Sequence, residues 1–172
     1  MVSERDALEV LSMFEDAAIK IFLDGGWGID ALVGYESRQH NDIDVFIEDC
    51  DKLKALNALM KAGYVEMIMD YTTLNHTVWH DKNDRIIDLH FFTYDCNRNL
   101  IFEGETYPSD VFSGKGHICH KDIACIAPDY QLQFHSGYEL DENDIKDVVL
   151  LCETFNLGIP VEISNRISLN NR

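Results

Sequence analysis

The sequence predicts an α+β fold, a mixed central sheet flanked by helices with a small helical part at the C-terminal end. Three observations predict it. Apolar residues recur at helical period in the first eighteen residues and again after positions 51, 128 and 141. Segments rich in β-branched and aromatic residues lie between them, broken by turn formers. The order is helix, strand, helix, strand, helix, several strands and two helices, unlike the regular alternation of a parallel βαβ sheet.

Residues 4–18 place Leu8, Val10, Leu11 and Phe14 on one stripe, with Ser3 as N-cap and Asp6 three residues on. A short apolar strand, Ile21-Phe22-Leu23, stops at Asp24-Gly25-Gly26. A second helix is expected from Trp27 to Gly34, a good C-terminal cap. After the polar loop 36–41, Asp42-Ile43-Asp44-Val45-Phe46-Ile47 opens with period-two alternation. A helix from about Asp51 to Gly63 and extended segments near 64–69, 74–80 and 84–92 follow. Beyond a loose stretch with Gly104, Pro108, Gly114 and Gly116, a strand runs to about Ile126. Pro128 and Asp141 start the last two helices. A soft boundary at Pro128 divides a core, 1–127, from C-terminal helices and tail, 128–172. The polar tail Asn165–Arg172 is expected to be irregular or to contact a second subunit, as in a homodimer.

Composition narrows the function. Thirty-one acidic against fourteen basic residues give a net charge of −17, which repels phosphate backbones and argues against a nucleic-acid partner. The same charge attracts a cationic small molecule or Mg²⁺. No stretch approaches the roughly 18 apolar residues of a membrane helix, and the N-terminus is amphipathic, so no membrane role and a cytoplasmic location are expected. The five cysteines are odd in number and irregular in spacing, which reads as reduced thiols. His117, Cys119, His120 and Cys125 lack the paired short spacings of a structural zinc site.

The chemistry concentrates at Asp42 and Asp44. Residues two apart on a strand share a face, their α-carbons roughly 6.5–7 Å apart. Two carboxylates so placed can converge on a pair of cations about 3.5–4 Å apart, the arrangement of two-metal phosphoryl chemistry. Hard oxygen ligands suit Mg²⁺. Upstream, Gly25-Gly26 between a strand and a helix lets the backbone approach a phosphate, which the helix N-terminus favours. In Ile86-Ile87-Asp88-Leu89-His90-Phe91, Asp88 shares a face with His90. It is the candidate third carboxylate, as metal ligand or as general base. Arg38 and His40, entering the Asp-x-Asp strand, can reach phosphate oxygens. His135 can do so from the helix after Pro128, whose Gln131, His135 and Tyr138 share a face, and Lys146 from the last helix. Trp27 is expected to pack, Asp30 to hydrogen-bond, and Asp24 to be a loop acid.

The segments Leu23-Asp24-Gly25-Gly26-Trp27-Gly28-Ile29-Asp30-Ala31-Leu32 and Arg38-Gln39-His40-Asn41-Asp42-Ile43-Asp44 resemble the small antibiotic nucleotidyltransferases, of the lincosamide and aminoglycoside 2''-adenylyltransferase types. The resemblance extends through Ile87-Asp88-Leu89-His90 and Gln131-Leu132-Gln133-Phe134-His135-Ser136-Gly137-Tyr138, from about residue 5 to about residue 150. It implies the polymerase-β-like nucleotidyltransferase fold. It matches Asp42, Asp44 and Asp88 to the family's three metal-site carboxylates, and Gly25 and Gly26 to its nucleotide-phosphate turn. Residues 93–120 match poorly, which leaves the acceptor open. The implied activity is transfer of a nucleoside monophosphate, AMP from ATP, to a hydroxyl of an antibiotic, with two Mg²⁺ ions. A lincosamide acceptor is favoured over an aminoglycoside, a protein side chain or an RNA end. A rival of another class is a nucleotide-binding regulatory module without turnover.

Overall fold

Pairing across the central strands decides the architecture of the computed structural model, which describes residues 1–135 and 140–170. Strand β2 (Asp42–Glu48) runs antiparallel to β1 (Ile21–Asp24) and parallel to β5 (Ile86–Tyr94). Beyond β5 lie β4 (His76–His80) and β3 (Val65–Met67), each antiparallel to its neighbour. On the other side β1 meets β9 (Lys121–Cys125) in parallel, and β9 forms a hairpin with β8 (Gly114–Ile118). The sheet order is β3-β4-β5-β2-β1-β9-β8. A small hairpin, β6 (Leu100–Phe102) and β7 (Glu105–Tyr107), extends the far end of β5. The sheet is mixed, as predicted.

The helices are α1 (Glu4–Asp16), α2 (Gly25–Val33), α3 (Lys52–Lys61), α4 (Pro128–Phe134), α5 (Glu142–Phe155) and α6 (Val161–Asn170). Helix α1 starts where the sequence places its cap: the Asp6 N–H donates to Ser3 Oγ, and the Ser3 N–H donates back to the Asp6 carboxylate. Asp141 and Asp144 repeat that device on α5. Alternation along β2 and β5 sends Ile43, Val45, Ile47, Ile87, Leu89 and Phe91 to one face. There they pack with Val10, Leu11 and Phe14 of α1 and Ala55 and Leu59 of α3. The opposite face carries Phe22, Phe46 and Phe92, packed with Leu100, Val111, Ile126 and Phe134. The acidic residues of the sheet share that second face.

Several elements differ from expectation. Helix α2 begins at Gly25, two residues early, because Gly25 adopts φ +60° and turns the chain directly from β1 into the helix. The loose stretch 93–120 holds the β6–β7 hairpin, turned by Glu103 and Gly104 at positive φ. The polar tail is helical through Asn170, because Ile163 is buried against Val148 and Cys152 of α5. No helix among the described residues is long and apolar enough to cross a membrane.

Ile87 is fully buried between the two central pairings, whereas Val65 on the edge strand is 61 % exposed. Replacing Ile87 by Ala should cost about 3–4 kcal/mol through lost burial and a residual cavity. Val65→Ala should stay within about 0.5 kcal/mol. Urea unfolding of the two variants checks the assignment of the core face.

Candidate active site

The parallel register of β2 and β5 sets Asp44 opposite Asp88, and the antiparallel register of β1 and β2 sets Asp24 opposite Asp44. Opposed residues on paired strands share a face. One row across the sheet is therefore Asp24, Asp44, Asp88 and Val78, and the next is Phe22, Phe46, His90 and His76. Asp42 shares the face of Asp44, one pleat toward the start of β2. Asp42, Asp44 and Asp88 thus lie on the same side of the sheet.

Asp42 and Asp44 line a cleft of about 410 Å³, whereas Asp88 is buried and is not part of its lining. Its floor is Asp24, Asp42, Asp44, His76 and His90; Gly25, Gly26 and Arg38 form one wall and Phe46, Phe102, Tyr107 and Phe134 another. A larger groove of about 1150 Å³ runs between α1 and α3, lined by long aliphatic and charged chains such as Leu8, Met13, Lys54 and Lys61. It lies away from the carboxylate cluster, so volume alone does not identify the site.

The glycine turn fits by necessity. A β-carbon on Gly25 would overlap the Asp44 carboxylate, and one on Gly26 would overlap the His40 ring. Asp24 is the N-cap residue of α2 yet makes no side-chain cap hydrogen bond. The first N–H groups of α2 thus start beside the carboxylates without a side-chain acceptor, the arrangement that receives anions.

The remaining residues named from sequence are placed differently from one another. Arg38 lines the cleft, but its guanidinium is held by Asp147 of α5, with Nε to Oδ1 at 2.8 Å and Nη2 to Oδ2 at 2.5 Å. His40 is buried, its Nε2 2.6 Å from Asp30 Oδ2, while Asp30 also accepts the Ser37 N–H and hydroxyl. Its ring supports the turn from behind, tilted against Trp27 at 4.6 Å. His135 closes α4 and lines the cleft, with Nδ1 2.9 Å from the Gln131 carbonyl. Lys146 is a correction: it is exposed and outside the cleft lining, because α5 turns Asp144 and Asp147 inward, leaving Lys146 on the outer side. Tyr138 lies outside the described residues.

Sequence reasoning missed two groups. Asp24 is not a loop acid but the last residue of β1, only 9 % exposed. Its signal was present, since Phe22 and Asp24 alternate on a strand. His76 reaches the site from β4, its Nε2 2.7 Å from Asp88 Oδ1. No local pattern announces such a pairing.

Crowding shapes the ionisation. Burial first, then the charges of Asp42, Asp88 and Asp24, hold the Asp44 carboxyl well above the ordinary carboxylate value. Burial and then Asp88 raise Asp42, and burial raises Asp24. Burial would lower His76, but the Asp88 carboxylate outweighs it and holds the imidazole above its usual value. Burial lowers His90. Buried carboxylates that lack partners cost at least about 1–3 kcal/mol each, and a cation relieves that cost.

The fold is that of the polymerase-β-like nucleotidyltransferases. It superposes on the lincomycin-bound lincosamide antibiotic adenylyltransferase LnuA with a TM-score of 0.78, at 28 % identity, covering 89 % of this chain and 98 % of that one. ANT(2'')-Ia in complex with adenylyl-2''-tobramycin gives a TM-score of 0.66 at 16 % identity, covering 88 % of each chain, a likeness of fold alone. A lincosamide resistance protein of Staphylococcus haemolyticus is 32 % identical over 150 residues, 86 % of this chain and 92 % of its own. The family model for aminoglycoside-2''-adenylyltransferases matches residues 6–151. The chain belongs to that family and is a nucleotidyltransferase enzyme.

The raised carboxyls give the metal-free protein a distinctive pH dependence. A group whose folded pKa lies above its unfolded value contributes stability below the unfolded value and loses it as pH rises through the folded one. Without divalent ions, unfolding free energy should therefore fall as pH climbs above about 4. Asp44→Asn should flatten that fall and stabilise the metal-free protein at pH 7 by about 1 kcal/mol or more. Denaturation in chelator across pH reads both effects.

Proposed function

We propose that the chain transfers AMP from ATP to a hydroxyl of a lincosamide-class antibiotic, releasing pyrophosphate and so conferring resistance. One observation carries this reading: Asp42, Asp44 and Asp88 share one face of the sheet beside the uncapped start of α2. ATP is a polyanion, and a floor of carboxylates repels it unless cations stand between. The donor set fits Mg²⁺, being hard oxygens on adjacent strands, with an unpartnered Oδ1 on Asp24. Asp42 and Asp44, with Asp88 in support, are the residues to hold two such ions. When bound, Mg²⁺ neutralises phosphate charge and makes the acceptor hydroxyl more acidic.

The other steps belong to this chain's own groups. The N–H groups at Gly25 and Gly26 receive the β- and γ-phosphates, and the absence of side chains there lets the phosphate tail come close. The acceptor oxygen attacks the α-phosphorus in line with the leaving pyrophosphate, and Asp88 takes the hydroxyl proton. Arg38, fixed by Asp147, and His40, fixed by Asp30, hold the loop that carries the turn's back wall. The clamp from α5 makes the C-terminal helices part of the catalytic unit, working with the 1–127 core.

The aromatic wall of Phe46, Phe102, Tyr107 and Phe134 favours an acceptor with an apolar portion. Asp144 and the floor carboxylates favour one that also carries an amine. Lincosamides combine both, whereas aminoglycosides are polycations with little apolar surface. The second reading, an aminoglycoside acceptor, is favoured by the family model that covers residues 6–151. A location in the cytoplasm, where ATP is available, follows from either reading.

Incubation with ATP, Mg²⁺ and a panel of lincomycin, clindamycin and tobramycin, read by mass spectrometry, should show AMP addition to the lincosamides. Modification of tobramycin alone would overturn the acceptor assignment. Asp42→Asn and Asp44→Asn should each lower the rate by about 10³-fold or more while circular dichroism stays native. Retained turnover in either variant would remove it from the metal-binding pair.

A further inference from the structure

His76, Asp88 and His90 form a cluster that the nucleotidyl-transfer chemistry does not use in full. They come from neighbouring strands: His76 opposes His90 across β4 and β5, and Asp88 precedes His90 by one pleat. One nitrogen from each ring and one Asp88 oxygen lie within 4.8 Å of one another. The two rings are 4.4 Å apart between centroids. His76 Nε2, Asp88 Oδ1 and His90 Nδ1 are all buried, and the first two face each other at 2.7 Å. Asp88 is 9 % exposed, so its carboxylate has little access to bulk water. Two imidazole nitrogens and a carboxylate oxygen gathered at one place form a ready set of metal ligands.

We infer that His76, Asp88 and His90 bind a zinc-class divalent ion beside the Mg²⁺ expected on Asp42 and Asp44, with Asp88 between the two sites. Donor chemistry separates the two sites. Magnesium takes oxygen ligands, whereas imidazole nitrogens suit zinc, cobalt, nickel and copper. Two histidines and one carboxylate leave further positions open, the pattern of a zinc centre that still accepts water or a ligand oxygen. Surrounding rings confine it: Tyr71 lies 5.0 Å from His76, and Phe46 and Phe102 lie 4.7 and 5.5 Å from His90. Such contacts help to orient the ligands. An ion there engages Asp88, so its occupancy competes with the proton transfer proposed for that carboxylate. That consequence rests on the transfer reading; the binding site does not.

The full chain, in excess Mg²⁺ and without nucleotide, is titrated with Co²⁺ and read by visible d–d absorption and equilibrium dialysis. One equivalent of Co²⁺, displaced by Zn²⁺, is expected. His76→Gln and His90→Gln should each weaken it by about 100-fold or more, with folding confirmed by circular dichroism. Should one variant fail to fold, the other decides. No Co²⁺ uptake, or uptake of unchanged affinity in the histidine variants, would show His76 and Asp88 to be an ordinary ion pair and overturn the site. Neither acceptor nor ATP enters the measurement, so a failure of the transfer reading registers separately in the antibiotic assay.

Discussion

The in-register parallel pairing of β2 with β5 is the constraint on which the rest depends, because it sets the Asp44 carboxylate beside that of Asp88. A slip of one residue would turn Asp88 into the hydrophobic core and Leu89 into the cleft. Register is held from the opposite face. There Ile43, Val45, Ile47, Ile87, Leu89 and Phe91 are buried against α1 and α3, and none tolerates exposure without loss of burial energy. The stability of one face thus fixes the chemistry of the other. Like charges gathered this way destabilise the metal-free protein, a local cost of function that the apolar face offsets.

A second layer of positioning comes from buried pairs behind the cleft. Asp30 gathers Ser37 and His40, and Asp147 gathers Arg38, so the loop between α2 and β2 is tied to both helices flanking it. This loop delivers Asp42 to the start of β2. Arg38 and His40 are therefore best understood as supports for the turn, with their strongest partners inside the protein. Gly25 and Gly26 complete the arrangement, since side chains there would meet Asp44 and His40 directly.

Much of this was legible in the sequence. The Asp42–Asp44 spacing, the Gly25–Gly26 break and the Asp88 strand each have a local pattern, and the Ser3 cap and the apolar stripe of α1 do as well. What was not legible depends on distant pairing. His76 enters the site only because β4 folds back on β5, and nothing near residue 76 reports that. Asp24 looked like a loop acid because the glycines after it suggest a turn, whereas the pairing of β1 with β2 extends to that residue. Lys146 was read as reaching phosphate from the last helix, but helical phase selects its neighbours Asp144 and Asp147. Helix α6 has few apolar residues, and its support comes from the buried contact of Ile163 with α5.

The account is tested most directly by a crystal structure with Mn²⁺ in place of Mg²⁺ and a non-hydrolysable ATP analogue, using anomalous scattering to find the ions. It predicts anomalous peaks between the nucleotide phosphates and the carboxylates of Asp42 and Asp44, with the phosphate tail on the Gly25–Gly26 N–H groups. Nucleotide seated elsewhere, for example in the groove between α1 and α3, with no ion on Asp42 or Asp44, would contradict it.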